Sequence, residues 1–227
     1  MKSEDVAWLF GRPILGGPTA IATRLRSYGT ERIPQSGGLV IAINHFHWID
    51  IPSIGWVCKR NIWYLAKVEA HRVPGLGPFI RQFGTLAVRR GESDREAVRR
   101  MREVVRDGNV LGVFVEGTRQ RSGVPGEVQP GAAMVAVQER VPVICAAIHG
   151  SQDWRPVNFA PVSIAWSEPM RFDELPRGAK GYREASAQIE EELHRLWRWL
   201  RDLHEAGRPR VAVPPTRDDA APVTLPA

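Results

Sequence analysis

The chain is poor in several residue types, and each shortage narrows the class of protein. The two cysteines, Cys58 and Cys145, lie far apart in apolar stretches of the 227-residue sequence. We therefore expect no disulfide framework and a reducing, cytosolic setting. No run approaches the ~20 apolar residues that a membrane-spanning helix needs. No charged segment followed by an apolar stretch opens the chain, so we also expect no secretory signal.

Lysine is scarce, whereas arginine is abundant. Four of the 31 Lys and Arg residues are lysines, and the formal net charge is +6. A basic chain suits an anionic partner, such as a membrane surface, a phosphorylated small molecule or a nucleic acid. We expect no nucleic-acid partner, because the arginines are dispersed and no nucleic-acid-binding motif or aromatic-interleaved basic stripe is recognisable.

Short apolar runs alternate with segments of helical character from residue 38 onward. Runs rich in β-branched residues predict strands at 38–43, 62–66, 85–88, 110–115, 142–148 and 162–166. Periodicity and capping residues predict helices at 93–107, 131–140 and 182–204. This alternation predicts an α/β fold, a single domain with a layered, mostly parallel sheet flanked by helices.

Composition divides the chain into three parts. Residues 1–37 are moderately apolar, interrupted by Gly and Pro, and form a predicted helical or interfacial segment. They can lie at a membrane interface or pack on the core, and the sequence favours neither. Residues 38–207 hold the predicted α/β domain. Residues 208–227 are rich in Pro and Ala, and we predict a disordered tail there.

Titratable residues follow the first predicted strand in the stretch NHFHWID, residues 44–50. His45 can act as a general base if a carboxylate holds its other ring nitrogen. A tight turn over four intervening residues brings Asp50 back to His45, which is the His–Asp half of a serine-protease triad. The protein needs no nucleophile of its own if a substrate hydroxyl attacks.

Two other interpretations of this stretch stay open on its residues alone. His45, His47 and Asp50 could bind zinc, but the other candidate ligands, His71 and His149, are remote in sequence, so we expect no metal. The pair of His45 and Asp50 could also be a structural loop cap.

Two more polar clusters follow predicted strands. In EGTR, residues 116–119, Gly117 and Thr118 offer backbone N–H groups to an anion, and Arg119 can bind phosphate through its fork. Glu116 is most simply a carboxylate that orients a nearby Arg or backbone N–H. Arg89 and Arg90 follow the third strand, and strand alternation points one of them toward a shared site.

In this order and spacing, the clusters resemble the motif blocks of the glycerolipid acyltransferase family, best known from 1-acylglycerol-3-phosphate O-acyltransferases. NHFHWID resembles the N-H-x-x-x-x-D block, and GTLAVRR resembles the second block through Gly84 and Arg90. FVEGTRQRSG resembles the E-G-T-R block, and VPVICAAI resembles the fourth through Pro142. The resemblance covers roughly residues 38–150.

The resemblance implies transfer of an acyl group from an acyl-coenzyme A or acyl carrier protein thioester to a lysophospholipid hydroxyl, in phospholipid biosynthesis. It implies 1-acylglycerol-3-phosphate as the acceptor and 38–207 as the acyltransferase domain. His45 would deprotonate the hydroxyl and Asp50 would orient His45. The implied head-group site consists of Arg90, Glu116, Gly117, Thr118 and Arg119. No metal or bound cofactor is implied, since the thioester is a co-substrate.

Lipid substrates imply a peripheral enzyme on the cytoplasmic face of a membrane, without a transmembrane helix. Five tryptophans are candidate interfacial anchors, although the core is the more common place for each: Trp8, Trp48, Trp56, Trp197 and Trp199.

Three positions depart from the family pattern. His47 stands where serine is frequent, and Val115 stands where a proline usually precedes E-G-T-R. Gln129 occupies the position of a lysine linked with acceptor phosphate, which Arg119 or Arg121 could replace as a cation. The alternatives are therefore the same chemistry on another lipid or glycolipid acceptor, or a non-catalytic lipid-binding module. A base–carboxylate pair argues against the module, because binding alone needs no base.

Overall fold

Seven strands and eight α-helices account for most of the regular structure in residues 3–88 and 95–218, which a computed structural model describes. The strands are β1 (Arg26–Tyr28), β2 (Leu39–Ile43), β3 (Ile62–Lys67), β4 (Leu86–Val88), β5 (Val110–Phe114), β6 (Val143–His149) and β7 (Ser163–Trp166). The helices are α1 (Ser3–Gly11), α2 (Gly17–Ala22), α3 (Asp50–Val57), α4 (Val68–Arg72), α5 (Leu76–Gln82), α6 (Arg95–Arg106), α7 (Gly131–Glu139) and α8 (Ala179–Glu205). A π-helical turn, Arg12–Gly16, joins α1 to α2, and a 3₁₀ turn, Thr30–Arg32, follows β1.

The strands form one sheet in the order β1-β7-β6-β2-β5-β3-β4. All neighbours pair in parallel except β6 and β7, which are antiparallel. The prediction of a mostly parallel α/β sheet is confirmed, and each predicted strand overlaps an observed one. The carboxyl ends of β2 and β5 lie side by side, since Ile43 is in register with Phe114.

Two apolar clusters cover the two faces of the sheet. One face packs against α6, α7 and α8 through residues such as Met101, Val135 and Leu196. The other face packs against α1 and α3 through Trp8 and Ile54. The predicted apolar stripe of α8 is core packing, because Leu193, Leu196, Trp197 and Leu200 are all buried.

Residues 3–37 contribute to the domain rather than standing apart from it. Trp8 of α1 is buried edge-to-face against Phe83, and β1 forms one edge of the sheet. The same segment leaves Leu9, Phe10, Ile14 and Ile21 exposed. Among residues 3–88 and 95–218, no helix combines the length and apolar character needed to cross a bilayer.

Residues 208–218, assigned above to a disordered tail, have no helix or strand but lie against the domain. Arg208 is buried, and its guanidinium donates to the Arg24 and Val162 carbonyls and to Ser163 Oγ. Farther along, Arg32 and Arg195 donate to the carbonyls of Pro214, Pro215 and Thr216. Arginine side chains therefore hold residues 208–216 against the domain. Residues 219–227 lie outside the described residues, so the predicted disorder stays a prediction.

Cys58 and Cys145 are both free and buried.

Candidate active site

A tight turn after β2 brings Asp50 back to His45. His45 Nδ1 lies 2.9 Å from Asp50 Oδ2, and the same oxygen accepts the backbone N–H groups of Phe46 and His47, each at 2.8 Å. Asp50 is fully buried in the first turn of α3, where the positive end of the helix dipole stabilises a carboxylate. The turn predicted from the sequence is present. Asp50 Oδ2 joins the His45 ring to the backbone N–H groups of Phe46 and His47.

The residue before His45 fixes the turn to the sheet. Asn44 is buried, its Nδ2 donates to the Ile148 carbonyl at 3.0 Å, and its Oδ1 accepts the Ile148 N–H at 2.7 Å. The amide thereby continues the ladder between β2 and β6 past the last paired residue. The role of Asn44 does not follow from its residue type alone, although its position directly after a buried strand is a usable signal.

Glu116 joins the two strand ends. Its Oε2 accepts the His45 N–H at 2.8 Å, and its Oε1 accepts the Gly126 N–H at 2.9 Å. From the neighbouring loop, the Gln120 N–H donates to the His45 carbonyl at 2.7 Å. Burial raises the pKa of Glu116 to about 7, although both N–H groups favour the charged form. Glu116 thus orients backbone groups, as the simplest interpretation had it, and its predicted contact with a head group stays a prediction.

The His45 ring is held by packing as well as by Asp50. It stacks on Phe114 with ring centroids 4.0 Å apart, and the side chain is 9% exposed. Tyr64 stacks on the far side of Phe114 at 5.9 Å. With Nδ1 held by Asp50, the ring's other nitrogen, Nε2, has no hydrogen-bond partner within the part of the chain that the structure describes. That nitrogen is the one available for proton transfer.

The loop after β5 carries three of the predicted head-group residues, Gly117, Thr118 and Arg119. The Gly117 N–H closes the turn by donating to the Phe114 carbonyl at 3.0 Å, with Gly117 at φ 70°. The predicted anion donor is therefore used internally. Thr118 and Arg119 are exposed, and the Thr118 carbonyl accepts a hydrogen bond from Gln120 Nε2 at 3.5 Å. Within residues 3–88 and 95–218, the Thr118 N–H and the Arg119 guanidinium have no partner. Arg89 and Arg90 lie outside the described residues, so the prediction for Arg90 stays a prediction.

His47 lies in an aromatic cluster beside the candidate base. Its ring is 5.5 Å from Trp154, edge-on, and 5.7 Å from Trp48. Burial lowers the pKa of His47; the charge of Asp50 opposes this effect, while Arg155 and Arg119 add to it. Both arginines thus lie within electrostatic reach of His47. Trp154 comes from the loop between β6 and β7, and no local sequence signal predicts its contact with His47.

The metal interpretation has no support in the geometry. His45 and Asp50 are bonded to each other, and within residues 3–88 and 95–218 no three His, Cys, Asp or Glu side chains converge to hold an ion. The arrangement instead supplies a histidine with one ring nitrogen held by a carboxylate. Such a pair can take a proton from a hydroxyl and stabilise the resulting imidazolium.

Comparison with known proteins agrees with this chemistry. The family model described as Acyltransferase matches residues 24–149. The chain is 28% identical over 127 residues to the 1-acyl-sn-glycerol-3-phosphate acyltransferase of Bacillus subtilis, which is 56% of this chain and 63% of that protein. It is 36% identical over 76 residues to the lyso-ornithine lipid O-acyltransferase of Pseudomonas aeruginosa, which is 33% of this chain and 29% of that protein.

The fold has a counterpart among solved structures. The crystal structure of the 1-acyl-sn-glycerophosphate (LPA) acyltransferase PlsC from Thermotoga maritima superposes with a TM-score of 0.70 at 25% identity. The match covers 84% of this chain and 78% of that one. The chain spans less than two thirds of the length of the first curated relatives it matches.

Proposed function

The chain belongs to the acyltransferase family, and from that premise we propose that it transfers a fatty acyl group from a thioester to a lipid hydroxyl. The acceptor we propose is 1-acylglycerol-3-phosphate, and the donor is acyl-coenzyme A or acyl carrier protein. The relative from Bacillus subtilis and the structure from Thermotoga maritima support this acceptor by their names. The observation that carries the proposal is the 2.9 Å contact between His45 Nδ1 and Asp50 Oδ2.

In the first half of the proposed reaction, His45 Nε2 takes the proton from the acceptor hydroxyl as its oxygen attacks the thioester carbonyl carbon. Asp50 holds the Nδ1–H and offsets the positive charge that the ring gains. The stacked Phe114 ring and the backbone contacts at His45 keep the imidazole in one orientation. Orientation of this kind is what converts a weak base into an effective one.

In the second half, the tetrahedral intermediate collapses, and the carbon–sulfur bond breaks. The proton on His45 passes to the departing thiolate, so the thiol leaves neutral and the imidazole is ready for another cycle. The ester forms on the acceptor oxygen directly, and no acyl group is attached to the protein. General-base assistance of this type contributes about 10²–10⁴-fold to a rate.

The exposed Arg119 and the Thr118 N–H are the proposed contacts for an acidic head group. Arg119 makes no ion pair with another described residue, so its fork is free for a bidentate contact with phosphate. Glu116 positions this loop against His45 from beneath. Arg90 joins the head-group site on the strength of the motif resemblance.

A second acceptor class is favoured by one observation. Gln129, which stands in place of a lysine, lies beside this loop: its Cγ is 3.9 Å from the point that a Cβ added to Gly117 would occupy. A neutral amide at this point contributes no charge toward a phosphate. The relative from Pseudomonas aeruginosa is named for a lyso-ornithine lipid, an acceptor of another kind. The alternative proposal is therefore the same chemistry on a lysolipid with a different head group.

We place the enzyme at the cytoplasmic face of a membrane as a peripheral protein, with a lipid acceptor drawn from the bilayer. Exposed Trp48 and Trp56 are the tryptophans still available as anchors, since Trp8, Trp197 and Trp199 are buried. Acyl carrier protein is a possible protein partner if it delivers the thioester. The chemistry calls for no bound cofactor.

The deciding experiment measures thiol release from acyl-coenzyme A and acyl carrier protein donors. Each donor is offered with 1-acylglycerol-3-phosphate, with lyso-ornithine lipid, with other lysophospholipids and with no acceptor. Acceptor-dependent release that falls about 10²–10⁴-fold in His45→Ala is the expected result. His47→Gln, two positions away, serves as the matched control and should retain most activity.

Each other outcome has a distinct meaning. Release without any acceptor, lost in His45→Ala, would mean thioester hydrolysis. Equal activity in wild type and His45→Ala would exclude the proposed base. No release with either donor, in a protein that still binds lipid, would favour the non-catalytic lipid-binding module.

A further inference from the structure

The loop between β6 and β7, residues 150–162, carries apolar side chains into solvent. Val157 is 89% exposed and Phe159 is 50% exposed. Exposed apolar side chains are ordinary when scattered singly, but a cluster rimmed by charge marks an interaction surface. The exposed Val157 and Phe159 side chains therefore mark the loop as a candidate interaction surface.

The loop is held rigidly by its own hydrogen bonds. Asn158 Oδ1 accepts the N–H groups of Arg155 and Ala160, at 2.8 and 3.0 Å, and Asn158 Nδ2 donates to the Asp153 carbonyl at 2.8 Å. Phe159 has a positive φ of 47°, which is unfavourable for a bulky side chain. Strained backbone of this kind persists where the surrounding structure fixes it, and such places are often functional.

A second element extends the same surface. Arg24 Nε donates to the Phe159 carbonyl at 3.2 Å, and Trp154 Nε1 donates to the Ala22 carbonyl at 3.1 Å. These contacts fix the loop against the end of α2, where Ile21 is 80% exposed. Ile21, Val157 and Phe159 thus belong to one face of the molecule, which we call the α2–loop surface.

The charge around the α2–loop surface is mainly positive. Arg24 and Arg155 are both exposed, and Arg155 holds its place by donating to the Gln152 and Trp154 carbonyls. The carboxylate in the loop is that of Asp153, which accepts a hydrogen bond from Gln152. Apolar side chains between arginines complement a lipid surface with anionic head groups.

The surface is continuous with the candidate active site. Trp154, at the base of the loop, packs edge-on against both His47 and Trp48. Trp48 is 52% exposed and is three positions from His45. A bilayer resting on the loop would therefore meet the molecule beside the base that is proposed to act on a lipid hydroxyl.

We infer that the α2–loop surface is a bilayer-docking site for anionic phospholipid, with Val157 and Phe159 inserted among the acyl chains and Arg24 and Arg155 at the phosphates. The choice of a bilayer as partner rests on the proposed function, because a lipid acceptor resides there. Docking at this surface orients His45 toward the membrane without the loop taking part in the chemistry.

The test measures co-sedimentation of the full chain with phosphatidylglycerol–phosphatidylcholine vesicles and with phosphatidylcholine vesicles. The double variant Val157→Ser, Phe159→Asn removes the apolar side chains, and Asn tolerates the positive φ at 159. Binding of the double variant to both kinds of vesicle should fall at least about tenfold, because the two apolar side chains that would insert into the bilayer are lost. Arg155→Gln should lose about fivefold on the anionic vesicles alone.

Matched controls lie at the opposite end of the sheet. Val213 is 74% exposed in the segment that reaches Arg32, and Arg183 is exposed in the first turns of α8. Val213→Ser and Arg183→Gln should bind both vesicles as wild type does. Thermal unfolding and acyl transfer to a short-chain, monomeric lysophospholipid should be unchanged in the double variant, which shows that its fold and chemistry are intact.

Wild-type vesicle binding by the double variant would overturn the inference. Unchanged vesicle binding with a loss confined to reactions driven by acyl carrier protein would overturn it too, and would assign the surface to that acidic partner. Reduced vesicle binding in a protein that transfers no acyl group to any acceptor would sustain the docking site while the proposed function fails.

Discussion

The side-chain amide of Asn44 forms hydrogen bonds with both backbone polar groups of Ile148, a residue of the neighbouring strand β6. Nδ2 donates to the Ile148 carbonyl at 3.0 Å, and Oδ1 accepts the Ile148 N–H at 2.7 Å. The backbone of Asn44 is thereby free to turn out of the sheet while its side chain stays in the ladder. His45, the next residue, leaves the sheet at a fixed place because of this exchange.

Replacing Asn44 with Ala should therefore damage both stability and activity. The buried N–H and carbonyl of Ile148 would each lose a partner, at a cost of about 1–3 kcal/mol for each group. We expect a loss of about 2–4 kcal/mol in the free energy of unfolding, measured by urea denaturation, and slower acyl transfer. Asn61→Ala is the control, since this partly buried amide bonds to the side chains of Arg12 and Asp5 and not to the backbone. It should lower the free energy of unfolding by less. Equal losses in both variants would contradict the role given to Asn44.

Asp50→Asn tests the orienting carboxylate. The amide keeps the size of the side chain but removes the charge that offsets a protonated His45 ring. We expect the turnover rate to fall about 10²–10⁴-fold with a much smaller change in acceptor KM, measured as thiol release. Asp107→Asn changes an exposed carboxylate just after α6 and should leave the rate unchanged. A wild-type rate in Asp50→Asn would remove Asp50 from the mechanism.

Glu116 makes stability depend on pH near neutrality. Burial raises the pKa of Glu116 in the folded protein from 4.5 to about 7. Between these values the folded state keeps a proton that the unfolded chain has released. The free energy of unfolding should therefore fall as pH rises from 4.5 to 7, by about 2–3 kcal/mol from this group. Urea denaturation at pH 5 and pH 8 measures the difference.

Glu116→Gln should lack this component of the pH dependence while keeping one acceptor for a backbone N–H. Glu190→Gln is the matched control, since Glu190 accepts the Val128 N–H at 2.8 Å in another loop contact. Its stability should follow the wild-type pH profile. An identical profile in wild type and Glu116→Gln would mean that the carboxyl is not perturbed.

His204 should produce the opposite dependence at lower pH. Its Nε2 pairs with Ser163 Oγ at 2.9 Å, and burial lowers the pKa of His204 to about 3, with added repulsion from His149, Arg208 and Arg26. In the unfolded chain His204 is protonated near pH 6.5, whereas in the folded protein it stays neutral down to about pH 3. The free energy of unfolding should therefore fall as pH drops from 6.5, by about 2 kcal/mol at pH 4.

His204→Gln should reduce this loss of unfolding free energy below pH 6.5 while it preserves a hydrogen bond to Ser163. His194→Gln, on the same helix, is the comparison variant and should lose stability below pH 6.5 as the wild type does. The measurement is the urea midpoint across pH 4–7. If His204→Gln loses as much stability below pH 6.5 as the wild type, other groups cause that loss.

The parts of the fold and site that the sequence predicts are those set by short-range rules. Buried strands and long amphipathic helices show their periodicity, and His45 and Asp50 are close enough in sequence for one turn to join them. The short helices α3, α4 and α5 were missed because a few residues give too little periodicity. Strand β1 was missed for the same reason, since three residues at a sheet edge bury little.

Contacts between distant loops could not be predicted in the same way. The packing of Trp154 on His47 depends on where two separate loops cross, which no local pattern encodes. The use of the Gly117 N–H inside its own turn depends on backbone angles that the letters E-G-T-R do not specify. Composition likewise predicts a disordered tail and gives no sign of its contacts with the domain. Arg32 and Arg195 donate to carbonyls of residues 214–216, and Arg208 of the tail donates to the carbonyls of Arg24 and Val162.

The bonded tail has a consequence for the way the protein is made. Edge strand β1 pairs with β7, and Tyr28 of β1 donates its hydroxyl proton to the Pro209 carbonyl at 2.9 Å. Tyr28 therefore lacks this partner until Pro209, 181 residues later in the chain, has been synthesised. A nascent chain stalled before residue 208 should therefore still be cleaved by proteases at β1.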